Sequence, residues 1–153
     1  MTVDLVHNAY VRAMDEQFSL YEWFARQYGL QHKSMQILFW VKNFPKRTGR
    51  LMTQKEIAQK TYSSKQVVNA TIKSWEAKGY VELLENSGDK RQKLVKLTKT
   101  GEAFATQIYR QLSQMEAKAT AGLTEEEQKV LNSLTVRYNA VLRAEMERLH
   151  DSI

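Results

Sequence analysis

Residues 51–101 read LMTQKEIAQKTYSSKQVVNATIKSWEAKGYVELLENSGDKRQKLVKLTKTG, and this stretch decides the fold. It opens on Thr53-Gln-Lys-Glu56. A threonine hydroxyl there can accept from an orphan helix N–H, while the glutamate three residues on reaches back to the threonine's own N–H. This capping box predicts a short helix to about Lys60, with Ile57 and Ala58 inward. Ser63-Ser-Lys-Gln66 has the same form and predicts a second helix over residues 64–78, closed by Gly79. Only a few residues separate the two, as in a helix-turn-helix. The hydrophobic period then changes from 3.6 to 2. Residues 80–84 (Tyr-Val-Glu-Leu-Leu) read as a strand, residues 85–93 as a polar turn, and Leu94-Val-Lys-Leu97 as the returning strand. A two-stranded hairpin after a helix-turn-helix is a wing.

On the second helix of this unit, Val68, Ile72 and Trp75 share one face, which is expected to be buried. Gln66, Asn69, Ala70, Lys73 and Ala77 lie opposite, with Ser64 and Lys65 at the N-terminal end. Asn and Gln can bond an adenine edge in two places, Lys can bond guanine, and Ala can touch a thymine methyl. The face therefore suits a helix lying in a major groove, and it equally suits an amphipathic helix with a solvated outer side. The preceding helix adds Gln54 and Lys55 beside free backbone N–H groups, where a phosphate fits. Lys46, Arg47 and Arg50 lie just upstream and read most simply as solubilising charge. At the hairpin tip, Asp89-Lys90-Arg91 sets an acid two residues before an arginine. An arginine on a thin wing can enter a narrow minor groove, and the acid can hold its guanidinium by a bidentate bond.

The charge distribution agrees. Residues 46–99 hold 13 Lys and Arg against five Asp and Glu, a net +8, while the other 99 residues carry −2. A basic middle flanked by near-neutral ends points to a polyanion partner.

Working outward, apolar residues recur at helical steps over residues 3–28, from Val6 and Tyr10 to Phe24 and Tyr28, and Gly29 follows as a stop. A second helix is expected over residues 31–44, ended by Pro45, with residues 45–52 as a basic turn. After the wing, a helix over residues 99–120 carries Phe104, Ile108, Leu112, Met115 and Ala119, and Gly122 breaks it. Thr124-Glu-Glu-Glu127 is a third capping box. It opens a final helix with Leu131, Leu134, Tyr138, Val141 and Leu142 on one face. The fold class is therefore mainly α with a small two-stranded β-wing, in the order α-α-α-α-β-β-α-α. Residues 46–98 form the winged helix-turn-helix region, and residues 1–45 and 99–153 form a helical dimerisation region, within one structural unit. The first and last helices are roughly 26 residues, or about 39 Å, long for a single small lobe.

Four stretches carry a resemblance: Thr53-Gln-Lys-Glu-Ile-Ala58, Glu76-Ala-Lys-Gly-Tyr-Val81, Asp89-Lys-Arg91 and Leu97-Thr98-x-x-Gly101. Together they resemble the winged helix-turn-helix of the MarR (multiple antibiotic resistance regulator) family, and the helix order extends the resemblance to the whole chain. It implies a homodimer with interlocked first and last helices. It also implies recognition helices in the major grooves, and wings in the minor grooves, of a pseudo-palindromic double-stranded DNA operator. Arg91 corresponds to the family's wing arginine and Asp89 to its acidic partner. Lys93 stands where a second arginine is frequent, and Trp75 where a leucine is usual. The expected function is a sequence-specific transcription regulator, a repressor released by a ligand. The DNA-contacting set is Thr53, Gln54, Lys55, Ser64, Lys65, Gln66, Asn69, Ala70, Lys73, Asp89, Lys90, Arg91 and Lys93.

An aromatic-rich segment runs from Tyr21 to Phe44. Tyr21, Phe24, His32, Phe39 and Trp40 are the candidate lining of a pocket for a small aromatic or hydrophobic ligand; core and dimer interface are the competing reading. His7, His32 and His150 are far apart and Cys is absent, so no metal site is expected, although folding can bring His7 to His150. No nucleophile elbow, phosphate loop or metal-binding helix motif is present, so no catalytic residue, cofactor or enzymatic role is assigned. The longest apolar run, residues 37–41, is far shorter than a membrane span, and no export pattern opens the chain, so a cytoplasmic protein is expected. The contrasting reading is a winged-helix module for RNA or a protein partner. RNA binding usually stacks bases on exposed aromatics, and Tyr62, Trp75 and Tyr80 read mostly as core.

Overall fold

A computed structural model describes the backbone of residues 2–151 and the side chains of residues 8–149. Its elements are α1 (Thr2–Arg26), α2 (His32–Thr48), β1 (Met52–Thr53), α3 (Gln54–Thr61), α4 (Lys65–Ala77), β2 (Val81–Leu84), β3 (Leu94–Leu97), α5 (Lys99–Ala121) and α6 (Glu125–Asp151). The chain divides into two compact units, residues 1–109 and residues 110–153. Among the described residues no helix is long and apolar enough to cross a membrane.

In the first unit the core is built from Met35, Ile37, Leu38, Met52, Ile57, Val68, Ile72, Val95 and Ile108, all fully buried. The period of α4 faces as read: Val68, Ile72 and Trp75 are buried and the opposite side is exposed. Both expected strands form, and β3 pairs antiparallel with β2 in the register Val81 to Leu97 and Leu83 to Val95. The sheet has three strands rather than two. Met52 and Thr53 pair with Val95 and Leu94 on the other side of β3. Two residues are too few to display a period of two, so this strand leaves no pattern in the sequence.

Two boundaries differ from the sequence reading. Helix α2 does not stop at Pro45 but runs to Thr48. Proline removes one N–H and crowds the preceding turn, but so near the C-terminus it interrupts only the last turn. The end is secured otherwise: the Thr48 hydroxyl donates to Phe44 O at 2.8 Å, and Gly49 N–H donates to Pro45 O at 2.8 Å. Gly49 takes φ 75°, a left-handed cap that glycine adopts without steric cost. The second expected capping box also shifts. Ser64, not Ser63, caps α4, its hydroxyl accepting from Val67 N–H at 3.2 Å. Ser63 is engaged with the Thr61 hydroxyl at 2.6 Å instead. Gln66 then sits one position short of the residue that returns a capping bond, and its side chain is left facing out.

The capping box of α3 forms as read, with Glu56 N–H donating to Thr53 Oγ1 at 3.2 Å and Thr53 N–H donating to Glu56 Oε1 at 3.1 Å. Burial alone would raise the Glu56 carboxyl, but the Thr53 N–H and the Arg50 guanidinium, at 2.8 Å, hold it below the usual glutamate range. A carboxylate with a depressed pKa contributes stability above its unfolded value and loses it as pH falls. Thermal melts across the acid range should therefore fall less steeply for Glu56→Gln than for the wild type, and parallel acid limbs would refute this. In the second unit, Thr124 and Glu127 close the third capping box in both directions, at 3.1 and 2.8 Å.

Candidate nucleic-acid interface

The outer face of α4 presents Lys65, Gln66, Asn69, Ala70 and Lys73 to solvent. Lys65 and Gln66 are in the first turn of α4, and Gln54 and Lys55 are in the first turn of α3. The turn between the helices brings these two ends to one cavity of about 340 Å³, lined by Gln54, Lys55, Lys65, Gln66, Asn69 and Gln92. Five of the six belong to the expected DNA-contacting set. The sixth, Gln92, comes from the wing and was not anticipated from the sequence. Ala70 and Lys73 extend the same exposed face, while Thr53 and Ser64 spend their hydroxyls on the helix caps.

The turn itself carries Tyr62, at φ 53° and ψ 44°, in the left-handed region that few non-glycine residues occupy. Its side chain is 80% exposed, which corrects its reading as core. Tyr62 is the C-cap of α3, its N–H donating to Gln59 O at 3.4 Å. Trp75 is buried as expected, and the Tyr80 ring stacks on Phe104 at 4.7 Å.

At the wing tip, Asn86 Oδ1 accepts from Gly88 N–H at 3.1 Å, and Asp89 Oδ1 accepts from Arg91 N–H at 3.0 Å. The same Asp89 oxygen accepts from Arg91 Nε at 3.3 Å. The pair is therefore one shared oxygen, not the bidentate fork expected, since the Asp89 oxygen that meets Arg91 Nε also accepts the Arg91 backbone N–H. The Arg91 side chain is 91% exposed and its terminal nitrogens remain available to an outside acceptor. Lys90 and Lys93 are exposed on either side.

Two of the upstream cations, Lys46 and Arg50, have structural partners. Arg50 bonds Glu56 and lies over the Phe44 ring at 4.8 Å. Lys46 and the buried Lys42 share one oxygen of Glu102, at 3.0 and 3.2 Å. Desolvation lowers the Lys42 amine and outweighs the Glu102 carboxylate.

The five candidate ligand residues fall into separate places. Phe39 and Trp40 line a cavity of about 390 Å³ with Asn43, Phe44, Arg47, Thr48 and Tyr109. Tyr21 stacks on His32 at 5.1 Å, near the start of α2, where burial, with Lys33 adding, lowers the imidazole pKa against the pull of Glu22. Phe24 is buried against Tyr28. Asn43, Arg47 and Thr48 continue the rows of Phe39 and Trp40 at steps of four, a signal hidden by ending α2 at Pro45. Among the described residues no group of His, Asp and Glu could hold a metal ion. His7 and His150 lie outside the residues whose side chains are described.

Residues 28–92, spanning α2, the helix-turn-helix and most of the wing, match the model of the MarR family. In sequence, residues 28–92 are thus similar to the winged helix of the MarR family. Solved structures extend the likeness of fold beyond that segment. A MarR family regulator from Neisseria meningitidis is 20% identical, with 92% of this chain and 96% of that one covered and a TM-score of 0.76. Staphylococcus aureus MepR in its DNA-binding conformation is 17% identical, with 90% and 98% covered and a TM-score of 0.74. A mutant MarR from E. coli complexed with operator DNA is 22% identical, with 86% and 91% covered and a TM-score of 0.68. No curated protein matches the chain. The segment matched to the MarR family contains every residue of the 340 Å³ cavity.

Proposed function

We propose that this chain is a homodimeric, sequence-specific DNA-binding regulator of the MarR type that acts as a ligand-released repressor. The observation that carries the reading is the joint cavity: the N-terminal parts of α3 and α4 face it with two lysines and three carboxamides, and Arg91 projects from the wing beside them. Polar and cationic side chains gathered on one face suit phosphates and base edges. Proteins of the same fold solved with DNA, one of them with operator DNA, support the same reading. Residues 46–98 are proposed as the DNA-binding region, and residues 1–45 and 99–153 as the dimerisation region. The 390 Å³ cavity, walled by Phe39, Trp40, Phe44 and Tyr109 with Arg47 at hand, is the place proposed for a small aromatic or hydrophobic effector.

Selection of duplexes from a randomised library, followed by binding at two salt concentrations against random competitor, tests this. A pseudo-palindrome bound by two chains, with a steep salt slope, is the expected result. Asn69→Ala should cost about 1–3 kcal/mol and relax preference at one position per half-site. Arg91→Ala should weaken binding to all sequences and flatten the salt slope. Binding that random duplex abolishes would leave only a basic surface. Tyr62 keeps a second reading in play, since an exposed ring beside lysines is what single-stranded RNA stacks on. Preference for single strands over the selected duplex would favour it.

A further inference from the structure

The cavity at the helix-turn-helix has one wall that neither helix supplies. Gln92 stands between Arg91 and Lys93, both exposed, yet is itself partly buried, turned in from the wing. Its N–H donates to Asp89 O at 3.1 Å, which closes the wing turn. The side-chain amides of Gln92, Gln54, Gln66 and Asn69 make no hydrogen bond among the described residues. Four carboxamides with unspent donors and acceptors thus converge on one volume of about 340 Å³, with Lys55 and Lys65 among them. Polar groups gathered this way are arranged for a partner from outside.

We infer that Gln92 is a DNA-contacting residue of the wing that donates its Nε2–H to a backbone phosphate lying between the recognition helix and the wing tip. This rests on the reading of the face as a duplex-DNA interface. A carboxamide can also take a base edge, but the lysines in this cavity gather positive charge where Gln92 points, which favours a phosphate oxygen. The next residue, Arg91, extends from the same turn into solvent. Asn69, Gln92 and Arg91 then follow one strand from the base edges read by α4, across its backbone, to the groove entered by the wing. Gln92 in this way sets the register of the wing against the helix, something neither Arg91 nor Asn69 does alone.

The test uses the full-length protein and duplexes that the wild type selects from a randomised library. Single backbone phosphates across one half-site are replaced in turn by neutral methylphosphonates. Gln92→Ala should bind about tenfold more weakly with unchanged base preference, as for a lost hydrogen bond to a charged group. Gln92→Glu should bind more weakly still, because a carboxylate then faces the phosphate. One methylphosphonate position should weaken the wild type and leave Gln92→Ala unaffected. Both variants should keep the wild-type Tm, since the amide has no internal partner to lose. Wild-type affinity in Gln92→Ala overturns the inference and leaves the DNA reading intact. A changed base preference with every phosphate still felt makes Gln92 a base reader and also overturns it. A wild type that selects no sequence overturns both.

Discussion

Replacing Leu134 and Leu142 together by glutamate is expected to leave the chain monomeric and to weaken operator binding by about 10²- to 10⁴-fold. Helix α6 carries Leu131, Leu134, Tyr138, Val141 and Leu142 on one face, within a stripe about 100° wide. Leu131, Leu134 and Val141 are each at least half exposed in the single chain, and Leu149 extends the row at 65%. A continuous apolar stripe of this length is not what a solitary helix keeps in water. If it is the dimer interface, two glutamates placed in it must be desolvated unpaired, which association cannot offset. The loss in DNA binding follows from linkage: two recognition units on one molecule make the second contact intramolecular, and a monomer forfeits that effective concentration. The helix itself should persist, since the substituted positions are exposed and glutamate is a good helix former. Sedimentation and binding to one-half and whole operators check both parts. A dimer with wild-type affinity would remove α6 from the proposed interface.

Gly101→Ala is expected to destabilise the chain by about 3 kcal/mol or more, lowering Tm by roughly 10 °C. A Cβ at this position would overlap the carbonyl oxygen of Tyr80 and stand 2.8 Å from its carbonyl carbon. Both are backbone atoms, so no rotamer relieves the clash. The first turn of α5 is bound to this segment at close quarters. Thr98 N–H donates to Tyr80 O at 2.9 Å, the Thr98 hydroxyl donates to Gly79 O at 2.5 Å, and Gly101 N–H donates to Thr98 Oγ1 at 3.1 Å. Moving α5 away breaks these bonds and the stacking of Tyr80 on Phe104. This is the physical content of the Leu-Thr-x-x-Gly pattern: the threonine ties the helix start to the residue that enters the wing, and the glycine lets it come that near. Gly88→Ala is the control. Its added Cβ would meet only the Asn86 Oδ1 atom, at 3.4 Å, and a change within about 0.5 kcal/mol is expected. Equal melts for wild type and Gly101→Ala would refute the account.

The order of elements, the facing of α4 and the polar, basic character of its outer side are properties of local periodicity and local charge. They were determined by residue spacing alone, and Val68, Ile72 and Trp75 lie where that spacing puts them. The caps at Thr53 and Thr124 are equally local, since each closes within four residues. The tertiary structure decided whatever depends on residues distant in sequence or on competition between neighbours. Ser63 lost the cap of α4 to Ser64 because the Thr61 hydroxyl engages it. Pro45 stayed helical because Gly49 and Thr48 secure the end beyond it, and so the row from Phe39 to Arg47 became the wall of a cavity. Tyr62 is exposed at the C-cap of α3, where the path of the chain into α4, not the helical period, sets its surroundings. Gln92 joins Gln66 and Asn69 only through the return of β3 beside β2, a pairing across a nine-residue turn that no helical or strand period can register.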